Sequence, residues 1–509
     1  MDQRSKHKAI RGVAWTSAAN WGCQLLSFGV FACLARLLNP HAFGIVALAG
    51  VYVAFIQILV TQGFGSAIVQ RSALEEEHLD SAFWIAMATA AIFCVLSIAL
   101  SDFIAHLFKQ PEIAPVIRWL SFSIPFYALS SVPSAILTRN LDFRALAVRS
   151  LAATSAGGAV GVSMAFFGCG VWSLVGQQLV SACLSTICLW STVLWRPRLR
   201  ISKQHMRDLY GFSLGVAGND ILWFFSQKSD QTVVGYFFGA SGLGPYALAS
   251  KLTTLAYEGV AGPFSSVAFP AFSKLQSKPL EFEKALHKFC EMLTFLCLPL
   301  FVGLAAVAPE LVPLLFGSKW VAAVPLLQVL SYYGALRVIL VFVNPFMLAK
   351  GRAGLYLLMN VTLTILTFAG CLVAARWSPE AVAISVAASL FAFSAIFVTV
   401  ASRFLQLKAL PLMRSFAFPM FCSFVMLVAV TGIRSLVVGK LAPVAVVLIC
   451  VLTGALCYLS LAYLLRPDLV KAIYGMIRGS LLPSSWRKST DPSRIEDDLE
   501  RVAVASTEL

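Results

Sequence analysis

Long apolar segments constrain this chain more strongly than any catalytic motif. The sequence contains roughly fourteen apolar runs of near-membrane length, and about 20 such residues suffice to cross a bilayer as a helix. Backbone polar groups inside a bilayer can be satisfied only within helices or closed barrels, and uninterrupted apolar runs favour helices. We therefore predict an all-α integral membrane protein with about fourteen transmembrane helices.

The composition agrees with a membrane protein and argues against several other classes. Hydrophobic residues make up 59% of the 509 residues and charged residues only 12%, about half of the ~25% found in soluble domains. The 12 cysteines form no CxxC pair, and most lie inside apolar runs, so we expect neither a metal site nor a redox site. The net charge of +15 is spread over alternate loops, which argues against a nucleic-acid partner.

Each apolar run is assigned to one span, and the first run counts as a span because it lacks a convincing signal-peptide cleavage site. The predicted spans are 12–37, 44–66, 81–101, 116–138, 145–167, 171–194, 210–236, 244–269, 289–308, 321–348, 355–375, 382–402, 415–437 and 444–465. Lys and Arg concentrate at the N-terminus, in the even-numbered loops and in the C-terminal tail. The positive-inside rule then places both termini in the cytoplasm.

Matching residues recur about 200 positions apart and predict two related halves. Gly44 matches Gly244, and the Ala-Leu-Ala sequence at 47–49 recurs at 247–249. Further matches join Gly12 to Gly211, Asn20 to Asn219 and Pro133 to Pro345. We predict a six-helix half at 1–207, a second at 208–410, two added helices at 411–465 and a partly disordered cytoplasmic tail at 466–509. Parallel halves of this kind hold a substrate between them in transporters; chance similarity among apolar helices is the alternative.

Six charged residues fall well inside predicted spans. They are Asp220, Lys228, Asp230, Lys251, Glu258 and Arg337. A charge at the bilayer centre costs about 2.5–3.5 kcal/mol on insertion scales, so these side chains must face one another or a wet cavity. Five of the six lie on spans seven and eight, which makes that hairpin the predicted site.

The six charges suit different roles in a transporter. Lys228, Lys251 and Arg337 suit the oxygens of a phosphate, and Asp230 joins them as a candidate substrate-binding residue able to pair with Lys251. Asp220 and Glu258 share a deeper level and are candidates for a coupling ion. The alternative is that all six form structural pairs that hold the hairpin together.

Proline and glycine mark two further predicted features. The matched prolines Pro133 and Pro345 interrupt spans four and ten, so we predict hinges there. Four glycines between 235 and 244 predict a tight turn between spans seven and eight. No histidine lies deep in a span, and no Walker, nucleophile-elbow or HExxH motif occurs. We therefore expect no catalytic residues, no cofactor and no metal.

The segment from Gln227 to Lys251 carries a family resemblance. An Asp in span seven precedes a Val-Gly-x-x-x-Gly turn and then Leu-Gly-x-Tyr-Ala-Leu-Ala. The later sequences Ala-Phe-Pro-Ala-Phe-Ser at 268–273 and Leu-Phe-Gly-Ser-Lys-Trp at 315–320 add to the resemblance. Over roughly residues 5–465 the chain resembles Wzx-type lipid-linked oligosaccharide flippases and polysaccharide exporters of the multidrug/oligosaccharidyl-lipid/polysaccharide superfamily. It is most similar to their colanic acid and succinoglycan branch. Asp230 and the glycine turn are the positions that match the motif.

The resemblance implies a function and partners. Such a protein translocates a polyprenyl-diphosphate-linked oligosaccharide across the bacterial cytoplasmic membrane by alternating access, for exopolysaccharide or lipopolysaccharide biosynthesis. Its partners would be that substrate, membrane lipids, and the polysaccharide polymerase and chain-length machinery. Two rivals stay open: an ion-coupled multidrug exporter of the same superfamily, and a membrane polysaccharide polymerase or ligase. A polymerase or ligase needs a sizeable external loop, and the longest odd-numbered loop, near 101–115, is short.

Overall fold

A computed structural model describes residues 21–71, 74–200, 202–274, 279–340, 343, 347, 351–404 and 409–471. Throughout these ranges the chain is built of helices and short links, without a strand. The helices are α1 (Trp21–Leu37), α2 (Pro40–Thr61), α3 (Phe64–Gln70), α4 (Glu76–Leu107), α5 (Ile113–Ser121), α6 (Ser123–Arg139), α7 (Phe143–Phe166), α8 (Val171–Thr192), α9 (Lys203–Lys274), α10 (Pro279–Phe316), α11 (Ala323–Ile339), α12 (Ala353–Ala374), α13 (Pro379–Phe404), α14 (Ala409–Val437) and α15 (Pro443–Leu465).

The predicted membrane spans coincide with these helices. Ten helices, with α5 and α6 counted together, are long and apolar enough to cross a bilayer, and α1 and α11 are shorter apolar helices. The remaining two predicted spans, seven and eight, form the single long helix α9. The prediction of an all-α, multi-pass membrane protein is therefore confirmed.

The fourth predicted span differs in detail, because it is two helices and not one. At Phe122 the backbone N–H bonds to the carbonyl of Trp119, three residues back, which tightens the helix locally. Pro125 follows in the first turn of α6, where its missing N–H costs little. Pro133 lies inside α6 as predicted, whereas Pro345, Gly12, Asn20 and nearly all of the predicted tail lie outside the described residues.

A hairpin turn divides α9 into two arms. Gly239 has φ 65° and ψ −167°, a conformation that side chains with a β-carbon rarely adopt. The arms then fold against each other: Tyr246 Oη donates to Asp230 Oδ2 at 2.8 Å, and Gln231 Nε2 donates to Ser250 Oγ at 3.0 Å. The predicted glycine turn between spans seven and eight is therefore correct.

Two reciprocal glycine contacts join α2 to α9 at one end of the bundle. A β-carbon on Gly44 would overlap the carbonyl oxygen of Ala240, and one on Gly244 would overlap the carbonyl oxygen of Pro40. The two glycines are 200 residues apart, as are Pro40 and Ala240. We call this the short-loop end, because the links 38–39, 108–112 and 317–322 and the turn at Gly239 all lie there.

The largest apolar core surrounds these glycine contacts. Trp320 is fully buried, packs edge-on against Phe43 at 5.3 Å between ring centroids, and donates from Nε1 to the Ala35 carbonyl at 2.7 Å. Phe316 packs on Phe31 in the same core. On α15, by contrast, large apolar side chains such as Leu456 are exposed, as a helix surrounded by lipid requires.

Candidate functional site

A cavity of about 610 Å³ lies between α1, α2, α8 and the two arms of α9, with one residue each from α6 and α7. Its wall is apolar along α2 and polar along α8 and α9. The polar residues that line it are Ser27, Tyr127, Thr154, Gln177, Gln178, Ser181, Lys228, Gln231, Ser250, Lys251 and Thr254. The size and the mixture of apolar and polar groups are typical of a binding site for a small molecule or a headgroup.

Lys228 is held in place by its neighbours. Its Nζ donates to Gln231 Oε1 at 3.2 Å, one helical turn along the first arm of α9. The nitrogen of the same Gln231 amide, Nε2, donates to Ser250 Oγ on the second arm. Because Gln231 is nearly buried and bonded at both ends, it fixes the direction in which the ammonium group of Lys228 points.

Lys251 lines the same cavity from the second arm of α9. It is exposed to the cavity, and across the described parts of the chain it has no hydrogen bond or ion pair. No carboxylate occurs among the described residues that line the cavity. Asp230 interacts electrostatically with Lys228 from behind the cavity wall, but only the two ammonium groups face the cavity itself, so it favours an anionic ligand over a cationic one.

Asp230 points away from this cavity. Its carboxylate accepts from the buried Tyr246 hydroxyl and from the backbone N–H of Gln231 at 2.7 Å. Residues two apart lie on different faces of a helix, so Asp230 and Lys228 diverge. The suggested pairing of Asp230 with Lys251 is not made, and the carboxylate instead holds the hairpin together.

Arg337 belongs to a different region. Its guanidinium lies over the ring of Tyr257, 4.2 Å from the centroid, in a cation–π contact between α11 and the second arm of α9. It does not line the cavity of Lys228 and Lys251. The six membrane charges therefore do not form one cluster.

The two deeper carboxylates are also separate. Glu258 accepts from Gln24 Nε2 at 3.1 Å, which joins α9 to α1. Asp220 has no hydrogen bond or ion pair to any described residue, Glu258 included. Sequence reasoning missed Gln24, because an amide in an apolar run carries no charge to mark it.

Three further polar residues lie inside apolar runs that the sequence assigned to spans. The adjacent Gln177 and Gln178 interrupt an apolar run and line the cavity, a signal that the sequence contained. Arg149 lies inside the predicted span 145–167, and its Nε is buried without a hydrogen-bond partner among the described residues. The rule that selected the other six charges applies equally to Arg149.

Comparison with known proteins finds one matching family model and several similar sequences. The family model described as "Polysaccharide biosynthesis protein" matches residues 33–325. The succinoglycan biosynthesis transport protein ExoT of Rhizobium meliloti (strain 1021) is 32% identical over 63% of this chain and 65% of its own length. This chain thus spans slightly less than two thirds of that relative. The lipopolysaccharide biosynthesis protein WzxC of Escherichia coli (strain K12) is 25% identical over 71% of this chain and 74% of its own length.

Solved structures share the fold. The lipid II flippase MurJ in an inward closed conformation matches with a TM-score of 0.74 at 15% identity, over 89% of this chain and 99% of that one. An inward-facing multidrug resistance MATE transporter of the MOP superfamily matches with a TM-score of 0.59 at 15% identity, over 79% of this chain and 94% of that one. At such identity these likenesses concern the fold alone.

Proposed function

We propose a transport function from the premise that the chain belongs to the polysaccharide biosynthesis protein family, whose model matches more than half of it. The family resemblance predicted from the hairpin motif is thereby confirmed. In this proposal the protein translocates a polyprenyl-diphosphate-linked oligosaccharide across the bacterial cytoplasmic membrane. Relatives named for succinoglycan transport and for lipopolysaccharide biosynthesis support that substrate class.

The observation that carries the proposal is the electropositive cavity. Lys228 and Lys251 face it together, and no carboxylate lines it. A diphosphate is an anion that ammonium groups bind well. The amides of Gln177 and Gln178 and the hydroxyl of Ser181 line the same cavity from α8, where they suit the hydroxyl groups of a sugar. In this proposal the diphosphate contacts the lysines and the glycan occupies the polar side.

The mechanism we propose is alternating access between two halves. In this proposal residues 1–207 and 208–410 each contribute six membrane spans, and α14 and α15 are added to the second half. The reciprocal contacts of Gly44 and Gly244 support this division, because they recur with the 200-residue shift of the repeat. The lysine-rich even loops support a cytoplasmic position for both termini. The short-loop end is then extracytoplasmic.

The remaining predicted residues keep proposed roles. Glu258, in contact with Gln24, and Asp220 are candidates for the coupling ion that drives the return step. Arg337 and Asp230 act through packing, on Tyr257 and Tyr246 respectively. Pro133 and Pro345 are proposed as hinges. The polysaccharide polymerase and chain-length machinery are proposed partners that receive the translocated substrate.

A multidrug exporter is the alternative within the same fold. Such a protein binds organic cations, which the two lysines that line the cavity repel. The cavity therefore favours the anionic lipid-linked substrate over a cationic drug.

An assay of leaflet distribution tests the proposal directly. Lys228→Ala and Lys251→Ala are expressed in a deletion strain at matched protein level, with Lys440→Ala, an exposed lysine far from the cavity, as the control. We expect lipid-linked sugar to accumulate in the inner leaflet in both cavity variants but not in the control. Normal export in both cavity variants would refute the headgroup role. Absence of accumulation in the deletion strain itself would refute the transport function.

A further inference from the structure

A cluster of nitrogen and oxygen ligands lies outside the cavity, on residues that do not line it. It is formed by Glu75 and His78 at the start of α4 and by His205 in the first turn of α9. One ligand atom from each residue lies within 4.8 Å of the other two. The proposed transport function uses none of these residues.

The imidazole of His205 is oriented for coordination. Its Nδ1 lies 2.6 Å from Ser202 Oγ and its Nε2 lies 3.0 Å from Glu75 Oε2. A hydroxyl that accepts the Nδ1 proton leaves the Nε2 lone pair available to a metal, the arrangement that commonly orients histidine ligands. The ring of His78 lies edge-on to that of His205, with centroids 4.4 Å apart.

The surrounding chain keeps these ligands together. We call residues 193–202, between α8 and α9, the linker. It is fastened onto α4 at two backbone positions: Arg198 N donates to Asp80 Oδ1 at 3.2 Å, and Ser202 N donates to Ser81 Oγ at 3.1 Å. The linker thereby brings His205 to His78, whose side chain is buried.

Glu77 lies beside the cluster but is not placed to complete it. Its Oε2 lies 3.5 Å from His205 Nδ1, the ring atom that faces Ser202, and not beside the Nε2 atom that would bind the metal. The Glu75 side chain is 66% exposed but is held by the backbone N–H of His78, which it caps. The buried His78 ring and the capped Glu75 carboxylate therefore keep two ligands in place, and the fourth position is left to water.

We propose that Glu75, His78 and His205 bind one Zn²⁺ ion, with water as the fourth ligand. Tetrahedral zinc with bonds of about 2.0–2.1 Å has ligand atoms roughly 3.4 Å apart. The cluster needs to contract by little more than an ångström to reach that geometry. Two imidazole nitrogens with carboxylate oxygens suit Zn²⁺, whereas Mg²⁺ and Ca²⁺ prefer oxygen ligands alone.

Coordination has a definite consequence for α4. The Glu75 backbone N–H donates to His78 Nδ1 at 3.3 Å, as part of the helix cap. Coordination through His78 Nε2 moves the ring proton to Nδ1, and this long hydrogen bond is lost. In exchange, zinc joins the start of α4 to the start of α9 and fixes the linker between them.

Zinc titration of the full-length protein in detergent tests the site. We expect one equivalent of Zn²⁺ to bind to the unmodified chain, and His205→Ala and Glu75→Gln to weaken binding at least tenfold. His287→Ala is the matched control, because His287 also lies near a glutamate, 3.7 Å from Glu283, without a second histidine in contact among the described residues. Equal binding by His205→Ala, equal loss in the control, or no binding at micromolar zinc would overturn the site.

Two readouts separate this site from the 12 cysteines and from a folding defect. Bound Co²⁺ should show the visible bands of a tetrahedral nitrogen and oxygen site, without a thiolate charge-transfer band. Zinc should raise the thermal unfolding temperature of the unmodified chain and of His287→Ala but not of His205→Ala. A thiolate band, or the same zinc-induced shift in His205→Ala, would contradict the proposal.

Discussion

The contact between α9 and the first two helices differs sharply along its length. At the short-loop end, Gly44 and Gly244 let the backbones of α2 and α9 touch, inside the fully buried core around Trp320. Farther along α9, the contact with α1 is a hydrogen bond between exposed side chains, from Gln24 to Glu258. Backbone packing of this kind tolerates no added atom, whereas water can replace an exposed hydrogen bond at little cost. We therefore expect the two regions to respond very differently to substitution.

The largest effect is expected from Gly44→Leu. Its side chain would collide with the Ala240 backbone, which cannot move aside as a flexible side chain can. We expect export to be abolished at matched protein level, and Gly244→Leu to behave alike. Gly29→Leu on α1, where nothing lies within 4 Å of the β-carbon position, should retain export. Normal export by Gly44→Leu would show that the backbone contact is dispensable.

The second-largest effect is expected from a charge reversal in the cavity. Lys251→Glu places a carboxylate opposite Lys228 and neutralises the electropositive wall. Hydrogen bonds to charged groups contribute about 1.5–3 kcal/mol, so we expect export to fall roughly tenfold or more. Lys440→Glu, outside the cavity, provides the charge-matched control for surface polysaccharide measurements. Undiminished export by Lys251→Glu would contradict the binding of an anion in the cavity.

A smaller effect is expected from Trp320→Phe at the short-loop end. The substitution keeps an aromatic ring against Phe43 but removes the donor to the Ala35 carbonyl. A buried acceptor left without its partner costs about 1–3 kcal/mol. Thermal unfolding should detect this loss, whereas Trp377→Phe, at an exposed tryptophan, should unfold like the unmodified protein. Equal stability of the two variants would mean that water replaces the indole.

The smallest effect on stability is expected from Gln24→Ala, which removes the hydrogen bond to Glu258. An exposed hydrogen bond of this kind contributes on the order of 0.5 kcal/mol, so the unfolding temperature should hardly change. Glu258→Gln keeps a partner for Gln24 but removes the charge. If Glu258 carries the coupling ion, its variant should lose export while Gln24→Ala retains it. Equal export by the two variants would exclude the coupling role of that carboxylate.

The lengths of the apolar runs predicted the helices but not the grouping of the charged residues. Run length alone identified the helical segments, because a bilayer imposes it directly. Lys228 and Lys251 line one cavity, because the turn at Gly239 lays the two arms of α9 side by side. Arg337 was grouped with them by charge, yet it stacks on Tyr257 in another region. The direction of a side chain around its helix depends on which neighbours pack against it.

The sequence by itself determined a multi-pass helical membrane protein, the position of its tightest turn and the family to which it belongs. These features are local or compositional, so they can be found without knowing which helices are neighbours. Only the tertiary structure decided that Gly44 meets Ala240, that Gln24 meets Glu258 and that His205 meets His78. Those partners are more than a hundred residues apart, and only the packing of whole helices brings them into contact.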